Sequence, residues 1–303
     1  MGEVHTGLLR GRDPMTAEQA TSLVDLVAGE PVASAQRPRS YVRSPQRPVG
    51  VDCPPGGARK ARGIGTVLQR AAITDGHVVQ GVAYATLRAA GGTTRRPWSH
   101  YLAWPGVIEV IGRVSWSELA ESFAAAERPA GVLDLGQIAG RASDVVQSAM
   151  PTGSQSGPRL RLPRTRLRFV AGGATGPPRL TSYGDELRLL QVDGDDKDLP
   201  LLVTFAEDVA LHDWLLTSVM RIVERAAIGR MSRAETLHRL EPALDYLLHL
   251  WLPAGRGGEL VEKLWDSLDR QAALTRQWAL LRDRIRDQFA VGAVAALSAA
   301  MRR

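Results

Sequence analysis

Hydrophobic positions divide this chain into two regimes. Up to about residue 200, apolar residues fall in short β-like runs broken by Gly and Pro; over 204–289 they recur at helical spacing. The first regime opens with a strand over residues 3–9, then a short helix from Thr16, a suitable cap, to Val27. A strand near Val32–Val42 precedes a Pro/Gly-rich loop, Pro45–Gly57, that carries Cys53. Ile64–Ile73 and Val78–Leu87 flank Thr74-Asp75-Gly76-His77, and Asp-Gly accepts the positive φ angles of a tight hairpin. A Val/Ile-rich strand follows over Gly106–Val114. Ser115-Trp116-Ser117-Glu118 then reads as a capping box opening a helix to Glu127, and a second helix runs from Asp134 to Ala149. Beyond a Gly/Ser/Pro linker, Pro151–Pro158, strands are expected over Thr165–Ala171, Arg179–Tyr183 and Glu186–Val192, closed by the acidic loop Asp193–Asp198.

The second regime reads as three amphipathic helices. The first starts at a capping box, Thr204-Phe205-Ala206-Glu207, and the second at Ser232-Arg233-Ala234-Glu235, with Pro242 expected to kink or divide it. The third follows Pro253–Gly258 with Leu260, Leu264 and Leu268, its stripe resuming at Leu274, Trp278, Leu281, Ile285 and Phe289. Short loops imply antiparallel packing. The pattern therefore predicts an α+β protein: a mixed, β-rich N-terminal part with short helices (1–150), strands that complete it (151–200) and an all-helical C-terminal bundle (201–303).

Composition changes this picture little. A chain of 303 residues, 44% hydrophobic and 23% charged, is long enough for a large core. No run of eighteen apolar residues suggests a membrane span, and no secretory signal pattern opens the chain. One cysteine, Cys53, excludes an internal disulfide; together these point to the cytoplasm. The net charge of +6 is nearly all Arg, so its distribution matters more than its total. Basic residues crowd 35–70, and Arg159, Arg161, Arg164, Arg166 and Arg168 form a second cluster without acidic neighbours. On a strand, Arg164, Arg166 and Arg168 share one face, a stripe that suits a solvated surface, an acidic protein or phosphates.

Candidate chemistry is sparse. Asp208 and His212 stand four apart on the first long helix, hence on one face, as a general-base pair would; with no matching nucleophile in the sequence, an exposed or half-buried structural pair is the favoured reading. Ser99 and His100 adjoin in Trp98-Ser99-His100-Tyr101, but on an extended segment adjacent side chains diverge. The acidic run lacks calcium-loop spacing, no zinc spacing occurs, and Gly56-Gly57-Ala58-Arg59-Lys60 lacks the elements of a P-loop, so no metal or cofactor is called for. The tail from Ala290 to Arg303 is small and apolar, suiting a last packed helix or a partner-binding one.

Several strings carry a resemblance: Gly2-Glu3-Val4-His5-Thr6-Gly7-Leu8-Leu9, Val51-Asp52-Cys53-Pro54, Arg62-Gly63-Ile64-Gly65-Thr66-Val67, Pro97-Trp98-Ser99-His100-Tyr101-Leu102, Pro105 to Gly112, and Leu211-His212-Asp213-Trp214-Leu215-Leu216. Together they resemble a conserved actinobacterial protein family of unassigned activity, encoded in a multi-gene cluster beside a variant P-loop protein. The resemblance implies a member of a multiprotein system, with a nucleotide-binding protein as one implied partner. The expectation is a non-enzymatic scaffold or regulatory subunit, docking through Trp214, Trp251, Trp265 and Trp278 and steering an acidic partner with Arg164, Arg166 and Arg168. The alternatives are an enzyme using His100 or His212, and a nucleic-acid binder using the Arg clusters.

Overall fold

The computed structural model describes residues 1–10, 14–37, 39–56, 61–113, 115–150, 160–172, 176–255 and 258–302. The expected linker at 151–158, Arg159 and residues 57–60 of the basic segment lie outside them. Among the described residues eleven strands form one sheet: β1 (Gly2–Leu8), β2 (Ala33–Ala35), β3 (Tyr41–Arg43), β4 (Arg47–Cys53), β5 (Arg62–Thr74), β6 (Val78–Tyr84), β7 (Thr86–Ala89), β8 (Val107–Ile111), β9 (Thr165–Ala171), β10 (Arg179–Tyr183) and β11 (Leu187–Val192). The order is β10-β11-β9-β1-β6-β5-β3-β2, with β4 and β8 also paired to β5, and β7 to β8. Strand β1 runs antiparallel to both β6 and β9, and β11 runs parallel to β9. Strands β6, β9 and β11 therefore point the same way and finish at the same end of the sheet.

Both faces of the sheet are covered. On one lie α1 (Ala17–Val24), α3 (Trp116–Ala124) and α4 (Leu135–Ser148), packed on Ile73, Val79, Ala83 and Ile108. Contact is closest at Gly81, where a Cβ would stand 2.1 Å from the Ala139 carbonyl, so no side chain fits. Against the opposite face lies α5 (Leu199–Arg225), sharing a core with Val4, Val82, Phe169 and Leu190. Outside α5 pack α6 (Arg233–Tyr246), α7 (Glu259–Ala272) and α8 (Leu274–Ala300). The α+β class holds, with α5 as the central layer between sheet and outer helices. Helix α2 (Trp98–Leu102) sits beside β5.

Local differences from the expected pattern have physical causes. The Pro45–Gly57 segment holds strand β4, since β5 is long enough to pair β4 and β3 along one edge and β6 and β8 along the other. The 32–42 run divides into β2 and β3. Helix α5 starts before the Thr204 box, with Pro200 in its first turn; Thr204 Oγ1 donates to the Pro200 carbonyl and Glu207 turns inward. Ser232 caps α6 as expected, accepting from the Glu235 N–H at 3.3 Å, and the helix runs through Pro242 as one element. The third expected helix is two, because Ala273 adopts φ +52° and Asp269 Oδ1 accepts the Thr275 N–H to cap the new start. In the β5–β6 turn Asp75 and Gly76 take φ +51° and +66°, as the hairpin reading requires.

Candidate functional site

Where β6, β9 and β11 finish, a cleft of about 600 Å³ opens. Thr86 and Leu87, just past β6, form one side; Val170, Ala171 and Gln191, at the ends of β9 and β11, form the floor. Helix α3 supplies the opposite wall with Trp116, Leu119, Ala120 and Glu121, and the loop into α5 closes the site with Asp195 and Leu199. Strand ends, a helix and a loop converge there around a concave, partly apolar crevice, the form that ligand pockets commonly take.

The α3 wall is fixed from behind by a buried charge cluster. Two guanidiniums meet its C-terminal carbonyls: Arg128 Nη2 donates to Phe123 O at 3.3 Å, and Arg168 Nη1 donates to Ala125 O. Cations at a helix C-terminus complement its dipole. Arg128 also lies 4.2 Å from the Phe123 ring centroid. Both arginines converge on Glu3 Oε2, at 3.4 and 3.3 Å, while His5 Nε2 stands 3.4 Å from Oε1. Burial pushes the Glu3 carboxyl up, but His5 and the two guanidiniums outweigh it and leave the group below its ordinary range. Burial draws Arg128 down to about 10, still a cation at neutral pH.

The residues expected to dock a partner are placed differently. Trp214 is fully buried in α5, its Nε1 donating to the Pro163 carbonyl at 3.0 Å. Trp265 and Trp278 are buried as well, and half-buried Trp251 stacks on Trp278 at 4.5 Å. Three of these rings are therefore packed within the helical layers, while Trp251 keeps part of its surface exposed. In the Arg stripe, Arg168 is buried on Glu3, Arg164 pairs with Asp144 of α4 at 2.7 Å, and Arg166 is half-buried. The stripe faces α3 and α4 because the sheet is covered on that side, which hydropathy alone does not reveal.

His212 sits at 0% exposure between the Trp251 and Trp265 rings. The Leu252 N–H donates to its Nε2 at 3.1 Å, so Nδ1 carries the proton and donates to the Asp208 carbonyl at 2.7 Å. Asp208 Oδ2 in turn accepts the Ala254 N–H at 2.7 Å. The pair fastens the loop after α6, and its sealed neutral imidazole is a structural group. His100 differs: it lies on α2, partly exposed, with Nε2 2.7 Å from Glu109 Oε1 of β8. Cys53 is half-buried, and burial with the adjacent Asp52 pushes its thiol up, against thiolate chemistry. Among the described residues no group of His, Cys, Asp and Glu is arranged to hold a metal ion, and no helix is long and apolar enough to cross a membrane.

Several polar groups with structural or site roles were not anticipated. Arg70 and Glu207 form a buried pair at 2.7 Å linking β5 to α5, and Arg188 reaches Asp213 at 2.9 Å. A sequence signal existed for Glu3, a carboxylate within the strand Gly2–Leu8, but its arginine partners lie 125 and 165 residues away. The sequence matches no protein-family model, and no curated protein or solved structure is detectably similar to it.

Proposed function

We propose that this protein is a docking subunit of a multiprotein system, binding a protein partner through the surface of α2. The observation that carries the reading is a concentration of exposed large apolar side chains, two of them indoles. Trp98 and Leu102 stand four apart on α2, hence on one face, and Trp104 lies two residues beyond Leu102, with exposures of 37%, 56% and 60%. Exposed tryptophans grouped this way are the residue type that anchors protein interfaces. Arg95, 5.6 Å from the Trp98 ring centroid, adds a cation at the rim. The resemblance to a clustered family favours a partner from the same system, with a nucleotide-binding protein as the first candidate.

The test is a native pull-down of the tagged chain from its own host, read by mass spectrometry, repeated with Leu102→Glu and Trp104→Ala. A stoichiometric partner retained by the parent and released by both variants, with unchanged melting temperature, supports the reading. A parent chain that carries no partner, or one that both variants retain, sinks it.

A second reading rests on the His100–Glu109 contact. A carboxylate 2.7 Å from a partly exposed imidazole is the arrangement that orients a general base. No nucleophile is placed against it by a described contact, so docking is the better supported function. The Arg clusters favour nucleic acid less, since Arg164 and Arg168 are already paired within the chain.

A further inference from the structure

Beyond docking, the cleft at the ends of β6, β9 and β11 has the make-up of a small-molecule site. We propose that it binds an uncharged ligand: a mainly apolar molecule held at one end by a carboxamide or similar group paired with Gln191. This stands independently of the docking reading, since α2 supplies none of the lining.

Size and lining come first. A volume of about 600 Å³ falls within the usual range for ligand pockets of roughly 300–1,000 Å³. Leu87 and Val170 give an apolar floor, and Leu119, Ala120 and Ala124 of α3 form the wall over it. Leu87 and Val170 also pack against the core cluster of Phe123 and Leu135, so the floor continues the apolar layer beneath α3 and α4. Charge then disfavours ions of either sign. The cleft is lined by Met1 and by the carboxylates of Glu121 and Asp195, and Lys197 Nζ stands 3.6 Å from Asp195 Oδ2. The Met1 ammonium and Lys197 thus answer the two carboxylates, and neither sign is in excess. The Met1 ammonium is further engaged by the Ala85 carbonyl at 3.0 Å. An ion entering from water would lose hydration and find no unmatched counter-charge, whereas an uncharged molecule loses little.

The polar anchor is set by the sheet. Gln191 and Val170 are partners in the parallel β9–β11 register, so their side chains leave the same face, the one on the α3 side. Both are half-buried and both line the cleft. Among the described residues the Gln191 amide has no hydrogen-bond partner within the chain. Its oxygen accepts and its nitrogen donates, so a group that does both, as a carboxamide does, satisfies it at each end. Outside the lining, Arg179 is the β10 partner of Gln191 and is exposed. A guanidinium reaching in from there would favour a carboxylate, and the choice of probes reads that case separately.

The experiment titrates the full chain by calorimetry with three probes of equal chain length: octanamide, octylammonium and octanoate, each below its micelle threshold. The expected result is saturable one-site binding of octanamide, about tenfold tighter than either ion, the scale of one or two net hydrogen bonds. Gln191→Leu, which keeps the bulk of the side chain, should weaken octanamide about fivefold and leave the ions unchanged. Gln191→Glu should turn the preference to octylammonium. Ala120→Trp, on the half-buried α3 wall, should fill the cleft and abolish binding of all three probes. The ranking by the parent chain decides the matter even where a variant folds poorly. Either ion binding as tightly as octanamide, an amide preference that survives Gln191→Leu, or no saturable binding of any probe would overturn the proposal; octanoate as the tightest would give the head group to Arg179 instead.

Discussion

At the scale of single residues, polar groups inside this protein act as fasteners. His212 and Asp208 accept the N–H groups of Leu252 and Ala254 and so pin a loop that carries Trp251 onto the helix beneath it. His212→Ala would leave the Leu252 donor unmet and open a void between two indoles. The expected loss is about 3–5 kcal/mol by urea denaturation, combining a buried-donor penalty with a cavity. His212→Gln, which keeps an acceptor on the side chain, should lose less; equal losses would count against the fastening role. Helical spacing made the Asp208–His212 pair legible in the sequence. What the pair binds was not, because its partners are main-chain groups some forty residues away that no side-chain pattern encodes. Glu3 makes the same point more sharply. Arg168→Leu removes one of its two cations and a cap on α3, and should cost about 3 kcal/mol, since a buried carboxylate deprived of a partner is expensive. A loss below about 1 kcal/mol in the same assay, the scale of an exposed pair, would show that Arg128 alone suffices.

Between elements, one contact with a titratable histidine joins the β5–β6 turn to the end of α6. His77 of the turn lies edge-on to Tyr246 at 5.5 Å and near His249 at 6.2 Å, while Asp75 reaches His249 Nε2 at 3.3 Å. Burial first, and His249 second, lower the His77 pKa below its ordinary 6.5, with Asp75 opposing them. A histidine with a lowered folded pKa binds fewer protons when folded than when unfolded. Its contribution to stability is therefore full above pH 6.5 and is lost as pH falls through that value towards the lower folded one. The melting temperature should drop between pH 7.5 and 5.5, and His77→Phe, which keeps a ring against Tyr246, should flatten that slope. An unchanged slope in the variant would assign the pH response elsewhere. The hairpin itself was legible, because Asp75-Gly76 suits positive φ angles. The helical partners of His77 were not, because register within a turn says nothing about what packs over it. Helix α2 was hidden for a related reason: five residues behind Pro97 are too few for a periodicity to emerge.

For the whole molecule, the change in pattern near residue 200 marks a change of element type within one continuous core. Helix α5 presents buried residues on every side, including Phe205, Val209, Trp214 and Val219, as a helix covered by sheet on one flank and helices on the other must. Part of that burial was legible, since apolar residues recur at helical spacing from Phe205 to Val223 and so mark one buried flank. The identity of its two flanks was not, because Glu207 and Asp213 are buried through pairing with Arg70 and Arg188 of the strands, and as charges they imitate a solvated face. A consequence follows for dissecting the chain. A fragment ending at Asp198 would expose Val4, Val82, Phe169 and Leu190 on one face of the sheet and leave buried Arg70 without its carboxylate. It should aggregate or bind a hydrophobic dye, with no cooperative melt, since the lost apolar cover and the orphaned charge together exceed the few kcal/mol by which domains of this size are stable. Coexpression with residues 199–303 should rescue it as a one-to-one heterodimer with a cooperative melt, because the severed bond lies at the start of α5 and leaves every layer intact. If residues 1–198 instead fold alone with a sharp transition, the sheet carries its own core, and α5 docks onto a finished domain.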